Sequence, residues 1–290
     1  MTKEREGELL MLGLSMLESW FPILSIVAMS YVGALHTYMY SLMVALVFFL
    51  AIMYQRKRFG ELKNKAAYKD LLLTTFWITL IFTLIFVGMR YTTAGNMAVI
   101  VFLQVLFSYL YFNVLGHEKM EKMHLAGAVI MTLGALIILI PEDFALNKGD
   151  LLILASAAMA PIVNLYQKRA REHCSAETIL GFRTLVGLPF VALMAYLFEP
   201  AVNLEAFISA LPYIFLIATG VYVVSKIMWI EALNRIAITK LSAMLALLPV
   251  MTLFFAYLYL DEVPQIRQLA GIIPVLIGGY LITKPLKSAT

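Results

Sequence analysis

Residues 70–89, DLLLTTFWITLIFTLIFVGM, decide the fold: twenty residues with one charge, Asp70, placed at the edge. About 20 consecutive apolar residues wound as a helix cross a hydrocarbon core of about 30 Å. The run lacks the alternation of a barrel strand, and backbone groups in lipid must pair within their own segment, so the reading is a transmembrane helix. Comparable runs occupy 8–30, 34–54, 95–115, 123–140, 150–170, 176–198, 210–231, 239–260 and 265–283, which predicts ten spans in all. The whole composition agrees. Of 290 residues 62% are apolar and 14% charged, with mean hydropathy +0.88, whereas soluble domains are about 45–50% apolar and about 25% charged. The expected class is an all-α integral membrane protein with short connections and no separate soluble domain.

A net charge of +4 could suggest a nucleic-acid partner, but the basic residues sort by membrane side instead. With the N-terminus placed inside and sides alternating, one side collects Lys3, Arg5, the cluster Arg56 to Lys69, Lys119, Lys122, Lys168, Arg169, Arg171, Arg235, Lys240, Lys284 and Lys287, and the other only Arg90, Lys148 and Arg267. This 17 to 3 asymmetry is the positive-inside pattern. It predicts an even number of spans, both termini cytoplasmic, and no nucleic acid. The cluster around residues 55–69 reads as a membrane anchor. The first apolar stretch is too long for a signal-peptide core of 7–15 residues and is read as a retained helix. The chain has no Asn-x-Ser/Thr acceptor, which favours a bacterial or archaeal plasma membrane. Cys174 is the single cysteine, so neither a disulfide nor a thiolate cluster is expected. The four histidines show no metal-ligand spacing, and no nucleophile elbow or phosphate-binding glycine loop occurs. An enzyme, a metal site and a cofactor are all disfavoured.

The chain also repeats. Gly7-Glu8-Leu9-Leu10 returns as Gly149-Asp150-Leu151-Leu152, and Glu118 with Leu125-Ala126-Gly127 and Gly134 returns as Glu262 with Leu269-Ala270-Gly271 and Gly278. Two halves, 1–144 and 145–290, follow, each with five spans. An odd number of spans per half makes the halves inverted in the membrane, the plan of many secondary transporters.

With these residues in view, the chain resembles the EamA repeats of the drug/metabolite transporter superfamily over essentially its whole length. The resemblance rests on small-residue-rich segments, Pro249 in the fourth helix of the second repeat, Glu118 and Glu262 at the membrane exit, and the Leu-x-Gly…Gly helices that follow. The first repeat has Val105 where the second has Pro249, and Glu18-Ser19-Trp20 stands where many relatives have Trp-Gly. The resemblance implies ten helices, a central cavity lined by the first, third, fourth, sixth, eighth and ninth, and export or exchange of small polar metabolites; one buried acid and one base, Glu18 and Lys226, would suit an amphoteric substrate such as an amino acid.

Polar residues at helical spacing mark faces turned to such a cavity. The candidate lining comprises Ser15, Glu18 and Ser19 in the first helix, Thr79 in the third, Gln104 and Ser108 in the fourth, Asn164 in the sixth, Tyr222, Lys226 and Trp229 in the eighth, and Thr252 in the ninth. Glu18 stands out, because a mid-span acid costs about 2.5–3.5 kcal/mol on insertion scales. Its expected role is proton uptake or pairing with a cation; the alternative is a carboxyl that only packs helices. Lys226, five residues from the end of its span, either meets an anionic substrate group or snorkels. Arg183, seven residues into its span, is read as snorkelling to the headgroups. Gln104 and Asn164 either orient substrate or bridge helices. Gly127, Gly134, Gly271 and Gly278 suit close helix packing or a homodimer contact. Two other readings stand beside the metabolite carrier. An organic-cation carrier is expected if Glu18 is unpaired and aromatic-flanked, and a lipid-handling or receptor-like protein would not transport at all.

Overall fold

The structure, a computed structural model, describes residues 3–111, 122–139, 147–233, 235, 244–245 and 247–283. These residues form helices and no strand. We label the rods α1 (Lys3–Ser19, resumed as Phe21–Val32), α2 (Ala34–Gln55), α3 (Tyr68–Met89), α4 (Ala94–Phe102, resumed as Gln104–Tyr109) and α5 (Lys122–Leu139). The second half follows as α6 (Lys148–Arg171), α7 (Ala176–Phe198), α8 (Leu204–Leu216, a π-helical stretch Ile217–Ser225, then Lys226–Leu233), α9 (Leu247–Leu260) and α10 (Ile266–Thr283). Within the described residues α1, α2, α3, α6, α7 and α8 are long and apolar enough to cross a membrane, and α4, α9 and α10 are shorter apolar helices. Parts of the fourth, fifth and ninth expected spans, with Glu118, Ser242 and Lys240, lie outside the described residues.

The bundle is apolar outside as well as in its core, and its small polar side chains are drawn inside. Ser15, Ser25, Thr37, Ser41 and Thr74 are buried, while Val47, Phe76, Phe190 and Phe254 are exposed on the periphery. A periphery rich in large exposed apolar side chains suits lipid as the outer solvent.

The repeat seen in sequence is a repeat in packing. α2 lies against α7, α4 against α9 and α5 against α10, so each helix of these pairs meets its own counterpart; α3 against α6 is matched by α8 against α1. At the α5–α10 crossing the glycines are spent on each other. A Cβ on Gly134 would fall 2.7 Å from the Gly271 carbonyl oxygen, and one on Gly278 would fall 2.5 Å from that of Gly127. Only glycine permits this backbone approach.

The α2–α7 pair is tied at both ends by reciprocal carboxylates. Glu199, just past the end of α7, accepts the amide hydrogens of Ala34 (2.8 Å), Leu35 (3.1 Å) and His36 (2.9 Å) at the start of α2. Glu61, past the end of α2, accepts from the Ser175 amide (2.7 Å) and the Thr178 hydroxyl (2.8 Å) at the start of α7. Carboxylates at helix N-termini satisfy orphan donors and complement the positive end of the dipole. Gly33, at φ 86°, sits where a Cβ would fall 2.8 Å from the Glu199 carboxylate, so both the backbone and the cap require glycine.

Candidate functional site

Three local departures from regular helix converge on one region inside the bundle. α1 breaks at Trp20, followed by Pro22, which has no amide hydrogen to give; the Ser19 carbonyl next to the break accepts the Thr252 hydroxyl of α9 at 3.2 Å. α4 breaks at Leu103, directly before Gln104. α8 changes from π to α at Ser225 and Lys226. Broken and π-bulged helices recur at functional sites because they aim side chains and leave backbone groups for partners. Here each break adjoins a polar residue, Glu18, Gln104 or Lys226.

Those residues surround a cavity of about 180 Å³, more than ten times the roughly 10–15 Å³ that holds one water. Its walls come from α1, α3, α4, α6, α7, α8 and α9, with Leu245 beside them, and so from both repeats. Most of the wall is apolar, including Phe21, Ile81, Phe82, Val101 and Trp229; the polar exceptions are Glu18, Gln104, Ser156, Asn164, Gln167, Arg183, Lys226 and Thr252. A mostly apolar cavity with a few convergent polar groups is the usual form of a small-molecule site.

Glu18 and Lys226 form an ion pair across the cavity, with the Lys226 ammonium donating to Glu18 Oε1 at 2.5 Å. The Ser225 hydroxyl, with one proton to share, lies within hydrogen-bond distance of the same oxygen and of the Val221 carbonyl, and the Lys226 ammonium lies 5.9 Å from the centre of the Phe82 ring. Lys226 therefore points inward, and the pair links the first repeat to the second.

Not every polar stripe residue reaches this cavity. Gln104, Asn164, Trp229 and Thr252 do, with Glu18 and Lys226. Ser15 and Ser19 are buried beside it, Ser19 donating to the Met16 carbonyl at 2.8 Å, and Ser108 lies on the α4 segment beyond Gln104, away from the wall. Thr79 and Tyr222 line a smaller adjoining void of about 20 Å³, together with Tyr38, Thr184 and Arg183. Serine and threonine in membrane helices often bond the preceding turn, as Thr75 does to Leu71 and Thr184 to Leu180, so a polar stripe alone does not locate a cavity.

Arg183 does not snorkel. It is 8% exposed and borders both the main cavity and the smaller void. Its face of α7, shared with Leu180, Thr184, Gly187 and Val191, is the buried face; the small residues Thr184 and Gly187 were the signal that this side packs inward. Glu199, Glu61 and Glu177 also escaped sequence reasoning, because the partners that tie them to another helix are 114 or more residues away in the chain. The tryptophans are dispersed: Trp20 stacks on Phe255 at 4.5 Å, Trp77 meets Phe76 at 5.3 Å, and of the three only Trp229 lines the cavity.

Toward the end where α1 begins, the helices are clasped by charges. Arg235 bonds Glu231 at 2.5 Å and lies 3.6 Å from Glu6, and Arg171 lies 3.7 Å from Glu231, joining α1, α6 and α8. Arg56 pairs with Glu177. Nearby, burial favours a neutral Glu61 carboxyl, but hydrogen bonds from Ser175 and Thr178 and the charge of Arg58 outweigh it and hold Glu61 below its ordinary value. Among the described residues no cluster of three or more potential metal ligands occurs.

Comparison with known proteins agrees with this architecture. The model of the EamA-like transporter family matches twice, over residues 5–140 and 147–284. An uncharacterized transporter of Bacillus subtilis is 25% identical over 203 residues, 68% of each chain. One of Archaeoglobus fulgidus is 25% identical over 214 residues, covering 71% of this chain and 72% of its own. One of Methanothermobacter thermautotrophicus is 31% identical over 227 residues, covering 74% of this chain and 64% of its own. A solved crystal structure shares the fold at TM-score 0.71, covering 96% of both chains at 15% identity. With two matched repeats spanning nearly all of its length and a helical bundle that pairs them, the chain belongs to the EamA-like transporter family.

Proposed function

We propose that the chain is a secondary carrier that exports or exchanges a small polar metabolite, an amino acid foremost, by rocking its two repeats about the central cavity. The observation that carries this reading is the Glu18–Lys226 pair, which joins the repeats across a cavity walled by both. A movement that exposes the cavity to alternate sides must load or break such a bridge, so its protonation or its replacement by substrate can drive the exchange. Glu18 is the coupling site in this scheme. Gln104, Asn164, Trp229 and Thr252 orient the substrate from the cavity wall; Thr79 and Tyr222 border the side void, and Ser15, Ser19 and Ser108 stand off the wall.

The proposal extends to ten spans, both termini in the cytoplasm, and a plasma-membrane location, from the 17 to 3 basic asymmetry of the connections. It needs no cofactor, nucleic acid or catalysis. A homodimer through α5 and α10 would use their outer faces, Leu125, Val129 and Leu133 with Leu269, Ile273 and Ile277, since the glycines are occupied within the chain. An organic-cation carrier calls for an unpaired Glu18, and here Glu18 has Lys226.

The test is uptake of labelled amino acids by proteoliposomes holding the purified protein under an imposed pH gradient. Saturable, gradient-driven uptake that loses its pH dependence in Glu18→Gln is expected. Unchanged pH dependence in that variant removes Glu18 from coupling, and no transport of any metabolite class removes the carrier reading.

A further inference from the structure

Among the cavity's charges, Glu18 and Lys226 neutralise each other at 2.5 Å. Arg183 has no such partner. Among the described residues no carboxylate lies within 4.0 Å of it and no protein group hydrogen-bonds it, although it is 8% exposed. The ionisable groups around it are Tyr38, Tyr222 and Glu18. An uncompensated guanidinium in such a place is costly to keep, and its fork of donors matches a carboxylate in geometry as well as charge.

A second group points the same way. The Tyr222 hydroxyl is sealed from solvent without a hydrogen-bond partner, and its residue is 3% exposed. Tyr222 and Arg183 border the same side void of about 20 Å³, large enough for one water-sized group. Arg183, Ile78 and Phe82 are walls of both the void and the main cavity. A small polar head can therefore sit at Arg183 with its oxygen toward Tyr222, while the rest of the molecule lies against Phe21, Ile81, Val101 and Trp229.

We infer that Arg183, backed by Tyr222, anchors the carboxylate of the transported molecule, and that the substrate class is the small monocarboxylate with an apolar body. This deepens the carrier reading and rests on it. With Glu18 and Lys226 paired, the cavity carries the single positive charge of Arg183, which a monoanion balances. A zwitterionic amino acid adds an ammonium, and that ammonium reaches Glu18 by displacing Lys226, so substrate entry and release of the bridge between repeats become one event.

Matched ligand pairs test the assignment on the purified full chain in detergent. Melting temperature and tryptophan fluorescence are titrated with 3-phenylpropanoate and 3-phenylpropanamide, and with phenylalanine and phenylalaninamide, since a ligand of the folded state raises stability in proportion to ln(1 + [L]/Kd). Each carboxylate is expected to bind about tenfold or more tightly than its amide, the effect of a charge-assisted hydrogen bond. Arg183→Gln should erase that difference, and Tyr222→Phe, which keeps the ring, should shrink it. Amides that bind as well as carboxylates, a preference that survives Arg183→Gln, or no response to either carboxylate would each overturn the assignment. Should Arg183→Gln not fold, the wild-type ligand pairs and Tyr222→Phe decide alone. Proteoliposomes that transport other metabolite classes while ignoring carboxylates would refute this inference and leave the carrier reading intact.

Discussion

Removing the cation of the inter-repeat bridge is the most informative single change. In Lys226→Met, Glu18 keeps the Ser225 hydroxyl but loses its counter-charge. Stripping one partner from a fully buried ion pair costs about 3–5 kcal/mol, whereas exposed pairs contribute about 0.2–1 kcal/mol. The two side chains are 15% and 21% exposed, toward the cavity, so the expected cost lies between these limits, about 1–3 kcal/mol. Glu18→Gln should cost less, because Lys226 retains the Phe82 ring and a longer stem with which to reach water. The double variant should recover part of the loss, giving a coupling of about 1–2 kcal/mol in a double-mutant cycle. Denaturant unfolding in detergent micelles, followed by tryptophan fluorescence, measures all four proteins. Strictly additive costs, or single variants as stable as the parent, would refute the bridge as a structural tie between repeats.

Two further outcomes follow from packing and charge. Gly278→Leu drives a side chain into the Gly127 carbonyl and the Met131 backbone, and should lower the melting temperature by forcing apart the α5–α10 crossing, with a cost of about 1–3 kcal/mol or more. A Gly60→Leu control, whose Cβ meets open space, should melt like the parent. Glu61, held below its ordinary value of 4.5 in the folded chain, stabilises the fold fully above its unfolded value and loses that contribution as pH falls through the depressed one. Glu61→Gln should therefore be less stable than the parent near neutrality, with the gap closing in the acid range; a gap independent of pH from 7 down to the acid limb would sink the charge-based account of this cap.

Much of the architecture is legible in the sequence because the bilayer imposes it. An uninterrupted apolar run such as 70–89 has one stable backbone solution in lipid, and α3 covers it as Tyr68–Met89. The repeated Leu-Ala-Gly…Gly segments are legible as a packing face, since Gly127 meets Gly278 and Gly134 meets Gly271 in space. Glu18 declares itself through the cost of its own charge at mid-span, and the structure supplies the compensating Lys226. Arg183 does not, because distance from a helix end gives depth in the membrane and not the direction of the side chain. Rotation about α7 turns it away from lipid into the core, and that rotation is set by packing on other helices. The carboxylate caps are hidden for a similar reason: Glu199 and Gly33 are 166 residues apart in sequence and adjacent only after α2 and α7 have packed. Thr79 and Tyr222 mark the opposite limit, where a polar face turns to a side void rather than to the main cavity.

The central claim is that one cavity, shared by the two repeats, opens to alternate sides of the membrane. Cys174 is the single cysteine, so a Cys174→Ser background allows a lone probe thiol at Asn164, on the cavity wall. The decisive measurement is the rate at which a membrane-impermeant maleimide labels Asn164→Cys in right-side-out and in inside-out vesicles. Labelling from both sides is predicted, with a transported substrate changing the balance between them. Labelling from one side only, unaltered by substrate, would contradict alternating access.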